Sequence, residues 1–87
     1  MATSRVDRNQ QEIVQALKRV GAEILYLHTL RHGAPDLLVC FRRQLFLMEI
    51  KAGKAKLTPD EETFHHRWPV AIVRSVGDAL TLLGIAA

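Results

Sequence analysis

Two apolar runs of strand length, Leu37 to Phe41 and Leu45 to Ile50, constrain the fold of this chain more than any other feature, because each carries apolar residues on both faces. Side chains alternate along a strand, so Leu37, Val39 and Phe41 share one face while Leu38 and Cys40 share the other. In the second run Phe46, Met48 and Ile50 oppose Leu45 and Leu47. A hairpin apolar on both faces calls for helical cover on both sides, which is an α/β arrangement.

The ends of these runs carry charge. Asp36 precedes the first, Glu49 stands near the end of the second, and Lys51 follows two residues later on the same face as Glu49. With Arg42 and Arg43 as a two-residue turn, residue 41 faces 44 and Asp36 falls opposite Glu49. A four-residue loop closed at 40 and 45 keeps that register, and a three-residue loop without a bulge reverses it. Neither arginine favours the positive φ of a tight turn, so the register matters more than the turn type. Two carboxylates converging from adjacent strands make a hard, oxygen-rich site suited to Mg²⁺ or Mn²⁺, and the ammonium of Lys51 beside them suits charge that develops on phosphorus. The competing account is an acid at a strand start and a Glu-Lys pair at a strand end, all solvated.

Pro35-Asp36 followed by Glu49-Ile50-Lys51 resembles the PD-(D/E)xK nuclease signature. The surroundings narrow the likeness. Gly33-Ala34-Pro35-Asp36-Leu37-Leu38-Val39, Met48-Glu49-Ile50-Lys51, Leu57-Thr58-Pro59-Asp60-Glu61 and Val73-Arg74-Ser75-Val76 resemble the stand-alone VRR-NUC branch of phages and prophages, in the same order and from about Asn9 to Gly84. The resemblance implies a restriction-endonuclease-like core of αβββαβα order, with a mixed four-stranded sheet flanked by helices. It implies Asp36, Glu49 and the backbone carbonyl of Ile50 as ligands of Mg²⁺ or Mn²⁺, and no organic cofactor. Lys51 would orient the attacking water or steady the transition state, and Glu12, on the first helix, would add an outer carboxylate. A surface glutamate is the alternative for Glu12. The family usually carries Gln where Glu61 stands, near the active site, and helix capping already accounts for the glutamate here.

Composition sets wider bounds. The 87 residues make one small domain, taken as residues 9–87 behind a loose arm at 1–8, and 48% hydrophobic with 24% charged residues is ordinary for a globular chain. Twelve Lys and Arg against nine acids leave a net charge of +3, a mild excess that permits polyanion binding. Lys51, Lys54 and Lys56 cluster beside the proposed site, and together with Arg42 and Arg43 they are the DNA-contact candidates. The lone Cys40 excludes an intrachain disulfide and reads as a small buried residue. No apolar run reaches membrane-spanning length, and the expected location is the cytoplasm of a bacterium or phage-infected cell.

Along the chain, Ile13, Val14, Leu17 and Val20 recur at helical spacing from Asn9 to Val20, with Gly21 as the stop and Asp7 or Asn9 as the cap. The continuous apolar run within Glu23 to His28 reads as a strand buried on both faces. Gly33 offers backbone freedom ahead of Pro35 and Asp36. Thr58, Pro59 and Glu61 announce a capping box, and the helix they open runs to Trp68 with Phe64 and Trp68 packed on the sheet. Adjacent His65 and His66 point apart on a helix and make a poor zinc pair. Val70 to Arg74 is a fourth strand, and Ser75 with Asp78 caps a last helix ended by Gly84.

Taken together, the expectation is a metal-dependent endonuclease acting on DNA, with a four-way junction or other branched DNA as substrate and a 5′-phosphate product, as the resemblance implies. A homodimer would supply two active sites for the two equivalent strands of a junction. The rival is a non-catalytic nucleic-acid-binding or assembly module on the same fold.

Overall fold

The computed structural model describes residues 5–85. Helix α1 (Arg5–Arg19) leads into strand β1 (Glu23–Tyr26), then β2 (Leu37–Phe41) and β3 (Gln44–Ile50). Helix α2 (Pro59–Arg67), strand β4 (Val70–Val73) and helix α3 (Val76–Leu82) complete the αβββαβα order expected from the sequence. The strands lie in the order β1-β2-β3-β4; the first three are mutually antiparallel and β4 runs parallel to β3, so the sheet is mixed. The parallel step is the one that needs a crossover, and α2 supplies it.

Cross-strand pairing sorts every strand residue onto one of two faces. Leu37, Val39 and Phe41 of β2 share a face with Met48 and Ile50 of β3 and Val73 of β4. These side chains pack with Ile13, Val14 and Leu17 of α1 and with Ala79 and Leu83 into the buried core. The opposite face is open by comparison. Leu25, Leu38, Leu47 and Val70 stand opposite one another in a row across all four strands, and Leu45 and Ile72 lie on the same side. No residue of α2 is fully buried, so this helix does not seal a second core.

Several expectations change. Helix α1 begins at Arg5, so residues 5–8 of the expected arm are its first turn, residues 1–4 lie outside the described residues, and Asp7 and Asn9 sit inside the helix instead of capping it. Its first turn carries little apolar periodicity, which is why spacing alone starts the helix late. Strand β1 is not buried on both faces: it is the sheet edge, with Leu25 62% and Tyr26 47% exposed. Trp68 does not pack down on the sheet; it is 53% exposed and its ring stacks on Phe64 at 5.3 Å between centroids. Cys40, on the open face, is half-buried.

The helix ends follow the sequence signals. Gly21, at φ 92°, lets the Gly21 and Ala22 N–H groups donate back to Lys18 and Leu17 as α1 closes. At α2 the Thr58 hydroxyl accepts from the Glu61 N–H while the Glu61 carboxylate accepts from the Thr58 N–H, a complete capping box with Pro59 at the first helical position. At α3 the Ser75 hydroxyl accepts from the Asp78 N–H, but the Asp78 carboxylate takes the Arg74 N–H, one residue before the expected partner.

Candidate active site

The site stands or falls on the β2–β3 register. Arg42 and Arg43 do form a two-residue turn, at φ 51° and 69°, and Phe41 pairs with Gln44. Both central residues take positive φ, as the primed hairpin turn demands of whatever residues occupy it. The Arg42 guanidinium lies 4.9 Å from the centre of the Phe41 ring, a local contact that helps hold this unusual turn. With Leu37 opposite Met48, the next position outward sets Asp36 beside Glu49.

Each acid is fixed differently. Asp36 Oδ2 accepts the Ile50 N–H at 2.7 Å, and the Asp36 carbonyl accepts the Leu27 N–H at 2.8 Å, so the residue is pinned between two strands. Glu49 is only 3% exposed and its Oε1 has no hydrogen-bond partner. Burial, reinforced by the hydrogen bond and charge of Asp36, pushes the Glu49 carboxyl up to about 9. A buried carboxyl with an unpartnered oxygen is costly to keep, and it is relieved by a proton or a cation. Two carboxylates with an orphaned oxygen, next to the backbone of Ile50, form a hard donor set that fits Mg²⁺ or Mn²⁺ completed by water and phosphate oxygens.

Lys51 projects from the end of β3 toward the start of α2. Its ammonium donates to Glu61 Oε1 at 2.7 Å, and both side chains are largely shielded, at 14% and 16% exposure. Burial alone would raise the Glu61 carboxyl, but the hydrogen bonds from Lys51 and from the Thr58 backbone outweigh it and hold Glu61 below the ordinary carboxylate range. His65, one turn further along α2, is half-buried with an unpartnered Nε2, and burial lowers its pKa. Gly33 seals the junction. It adopts φ 78°, and a Cβ built there would collide with the Asp60 carbonyl, so only glycine lets the loop before Asp36 approach the first turn of α2.

The other candidates are distributed unevenly. Lys54 and Lys56 are exposed on the loop between Lys51 and α2. Arg42 and Arg43 occupy the far end of the hairpin, on the order of 20 Å from Glu49 at the usual strand rise, and the fold does not bring them to the lysines. Glu12 is exposed on α1 and lines a polar cleft with Arg8, Asn9, Ala52, Gly53 and Arg74. Among the described residues no three acids, histidines or cysteines gather as a metal site, so Glu12 does not join Asp36 and Glu49 in this structure. The cleft also contains bonds that the sequence did not reveal. Asn9 Nδ2 donates to the carbonyls of Lys51 and Arg74 at 3.4 and 3.2 Å, tying α1 to the ends of β3 and β4, and Arg74 Nη1 donates to the Gly53 carbonyl at 2.9 Å. Arg74 was visible within the Val73-Arg74-Ser75-Val76 motif, whereas Asn9 was marked only as a helix cap and nothing local in the sequence points to its bonds across to β3 and β4.

No family model matches the chain, and no curated protein matches it. A solved structure described as a VRR_NUC domain shares its fold, with a TM-score of 0.79 and 26% sequence identity over 94% of this chain and 97% of that one. The likeness read from the motifs therefore extends to the whole fold: the chain has the architecture of a VRR-NUC, nuclease-type domain. No helix among the described residues is long and apolar enough to cross a membrane.

Proposed function

We propose that this VRR-NUC-like domain is a metal-dependent DNA endonuclease that hydrolyses phosphodiester bonds in branched DNA, such as a four-way junction, and leaves a 5′-phosphate. The convergence of Asp36, Glu49 and Lys51 at one sheet end, with a buried Glu49 oxygen left unpartnered, carries the reading. Asp36, Glu49 and the Ile50 carbonyl would hold Mg²⁺ or Mn²⁺. When bound, such an ion polarises a phosphoryl group and lowers the pKa of a coordinated water.

The chain's own residues supply the rest. Asp36, pinned by the Ile50 N–H, fixes where the carboxylate pair sits relative to β3. Lys51 places a positive charge on the same face as Glu49, where it can orient water or stabilise charge growing on the phosphate. Lys54 and Lys56 follow Lys51 on an exposed loop, and Arg8 and Arg74 in the adjoining cleft extend the basic surface in place of the remote Arg42 and Arg43. Phosphate contacts of this kind position a backbone without reading sequence. Two copies would present two such sites to the paired strands of a junction.

The test is cleavage of end-labelled four-way junction, splayed-arm and linear duplex DNA with Mg²⁺, Mn²⁺ or EDTA, beside Glu49→Ala and Lys51→Ala. Metal-dependent cutting of the junction that both substitutions abolish supports the reading. Wild-type protein that binds DNA but cuts nothing under either metal overturns it in favour of a binding module.

A further inference from the structure

We infer that Glu61 is a positioning residue for Lys51, so that the capping glutamate of α2 also aims the active-site ammonium. The inference rests on the nuclease reading above and deepens it. A single oxygen, Glu61 Oε1, accepts both the Thr58 N–H at 2.8 Å and the Lys51 ammonium at 2.7 Å. A capping glutamate needs only the first of these. The second joins residues ten apart in sequence, and it is shielded from water on both sides.

Two consequences give the contact its meaning. Lysine has a long flexible stem, so an unheld ammonium would sample many rotamers, and fixing its head at one atom removes most of them. The holding atom is itself immobilised, because the Thr58 backbone N–H, which any residue at that position except proline supplies, secures the carboxylate. Gly33, against the Asp60 and Glu61 backbone, ties the loop that delivers Asp36 to the same turn of helix. The first turn of α2 thus sets Lys51 from one side and the approach to Asp36 from the other. Glutamate and glutamine both offer an acceptor oxygen of this reach, whereas a shorter or apolar residue offers none.

The decisive comparison is Glu61→Ala, Glu61→Gln and Thr58→Ala, each measured for thermal stability, junction affinity, KM and single-turnover rate, with the Lys51 ¹⁵Nζ ammonium signal followed by NMR in metal-free protein. Thr58→Ala removes the hydroxyl half of the capping box but keeps the Thr58 N–H that holds the Glu61 carboxylate, so only Glu61→Ala releases Lys51. Glu61→Ala should lower the cleavage rate by about a hundredfold at unchanged KM, the scale expected when a reacting group is misplaced by roughly an ångström. Glu61→Gln should recover most of that loss, and Thr58→Ala should cleave within about threefold of wild type once corrected for unfolded protein. The Lys51 signal should be protected from solvent exchange in wild type and Thr58→Ala, and lost in Glu61→Ala. Equal rates for Glu61→Ala and Thr58→Ala, or an unchanged Lys51 signal in Glu61→Ala, would overturn the assignment. A wild type that cuts no DNA removes the nuclease reading instead, and the NMR comparison still decides whether Glu61 holds Lys51.

Discussion

At the scale of single residues, the behaviour of Glu49 follows directly from its surroundings. Its carboxyl titrates from 4.5 in an ordinary setting to about 9 in the fold, first through burial and then through Asp36. The folded value is the higher one, so between these pH values the native protein retains a proton that the unfolded chain has released. The contribution of Glu49 to stability is therefore complete below 4.5 and is lost as pH rises toward about 9. In EDTA, unfolding free energy, and melting temperature with it, should fall from pH 5 to pH 9 more steeply in wild type than in Glu49→Gln, with the free-energy gap growing to about 1–3 kcal/mol, the cost of a buried unsatisfied polar group. Mg²⁺ should raise the wild-type melting temperature more at pH 8 than at pH 5 and leave Glu49→Gln unmoved; parallel pH curves for the two proteins would refute this account. Asp36, Glu49 and Lys51 were legible in the sequence because strand periodicity fixes which side chains share a face, and the register needed only one correct turn. The Lys51–Glu61 pair was not, since it depends on how an irregular loop returns α2 to the end of β3.

Elements were legible to the degree that local chemistry determined them. The α2 and α3 starts were written in Thr58-Pro59-Asp60-Glu61 and Ser75 to Asp78, where side chains satisfy backbone groups a few residues away. The exposure of β1 was not, because a run such as Ile24 to Leu27 reads the same whether its neighbours cover it or not, and only the strand order makes it an edge. The loop from Leu27 to Asp36 belongs to the same class of problem: its turns are local, but its purpose is to dock Gly33 on α2. That docking yields a prediction at this scale. Gly33→Ala must either leave φ 78° or push the Asp60 carbonyl away, and both routes displace the first turn of α2. It should destabilise the domain by about 1–3 kcal/mol, read from urea unfolding, and slow cleavage by more than the unfolded fraction explains. Gly21→Ala also puts a side chain at positive φ but meets no atom within 4 Å, so it should cost stability alone. Equal effects of the two on cleavage would show that the loop does not act through α2.

For the whole molecule, the asymmetry between the two faces of the sheet is the governing fact. One face is closed by α1 and α3 around the core, while the other leaves Leu25 62%, Leu45 69% and Ile72 40% exposed beside the row from Leu25 to Val70. A chain of this size gains by burying such a surface, and a second copy brings an identical apolar face together with a second active site. The open face is also the side to which Glu49 and Lys51 belong by strand parity, so association there would place both sites on related sides of one particle. Sedimentation of the full chain at micromolar concentration should give a dimer. Leu25→Lys combined with Leu45→Lys should give a folded monomer, because both side chains already meet water in the single copy and their loss empties no core. On a four-way junction the wild type should cut both equivalent strands within one binding event, and the monomeric variant should nick one strand and release. If the double variant still sediments as a dimer, association uses another surface, and if it is monomeric yet cuts both strands together, the pairing of active sites is not what junction cleavage requires.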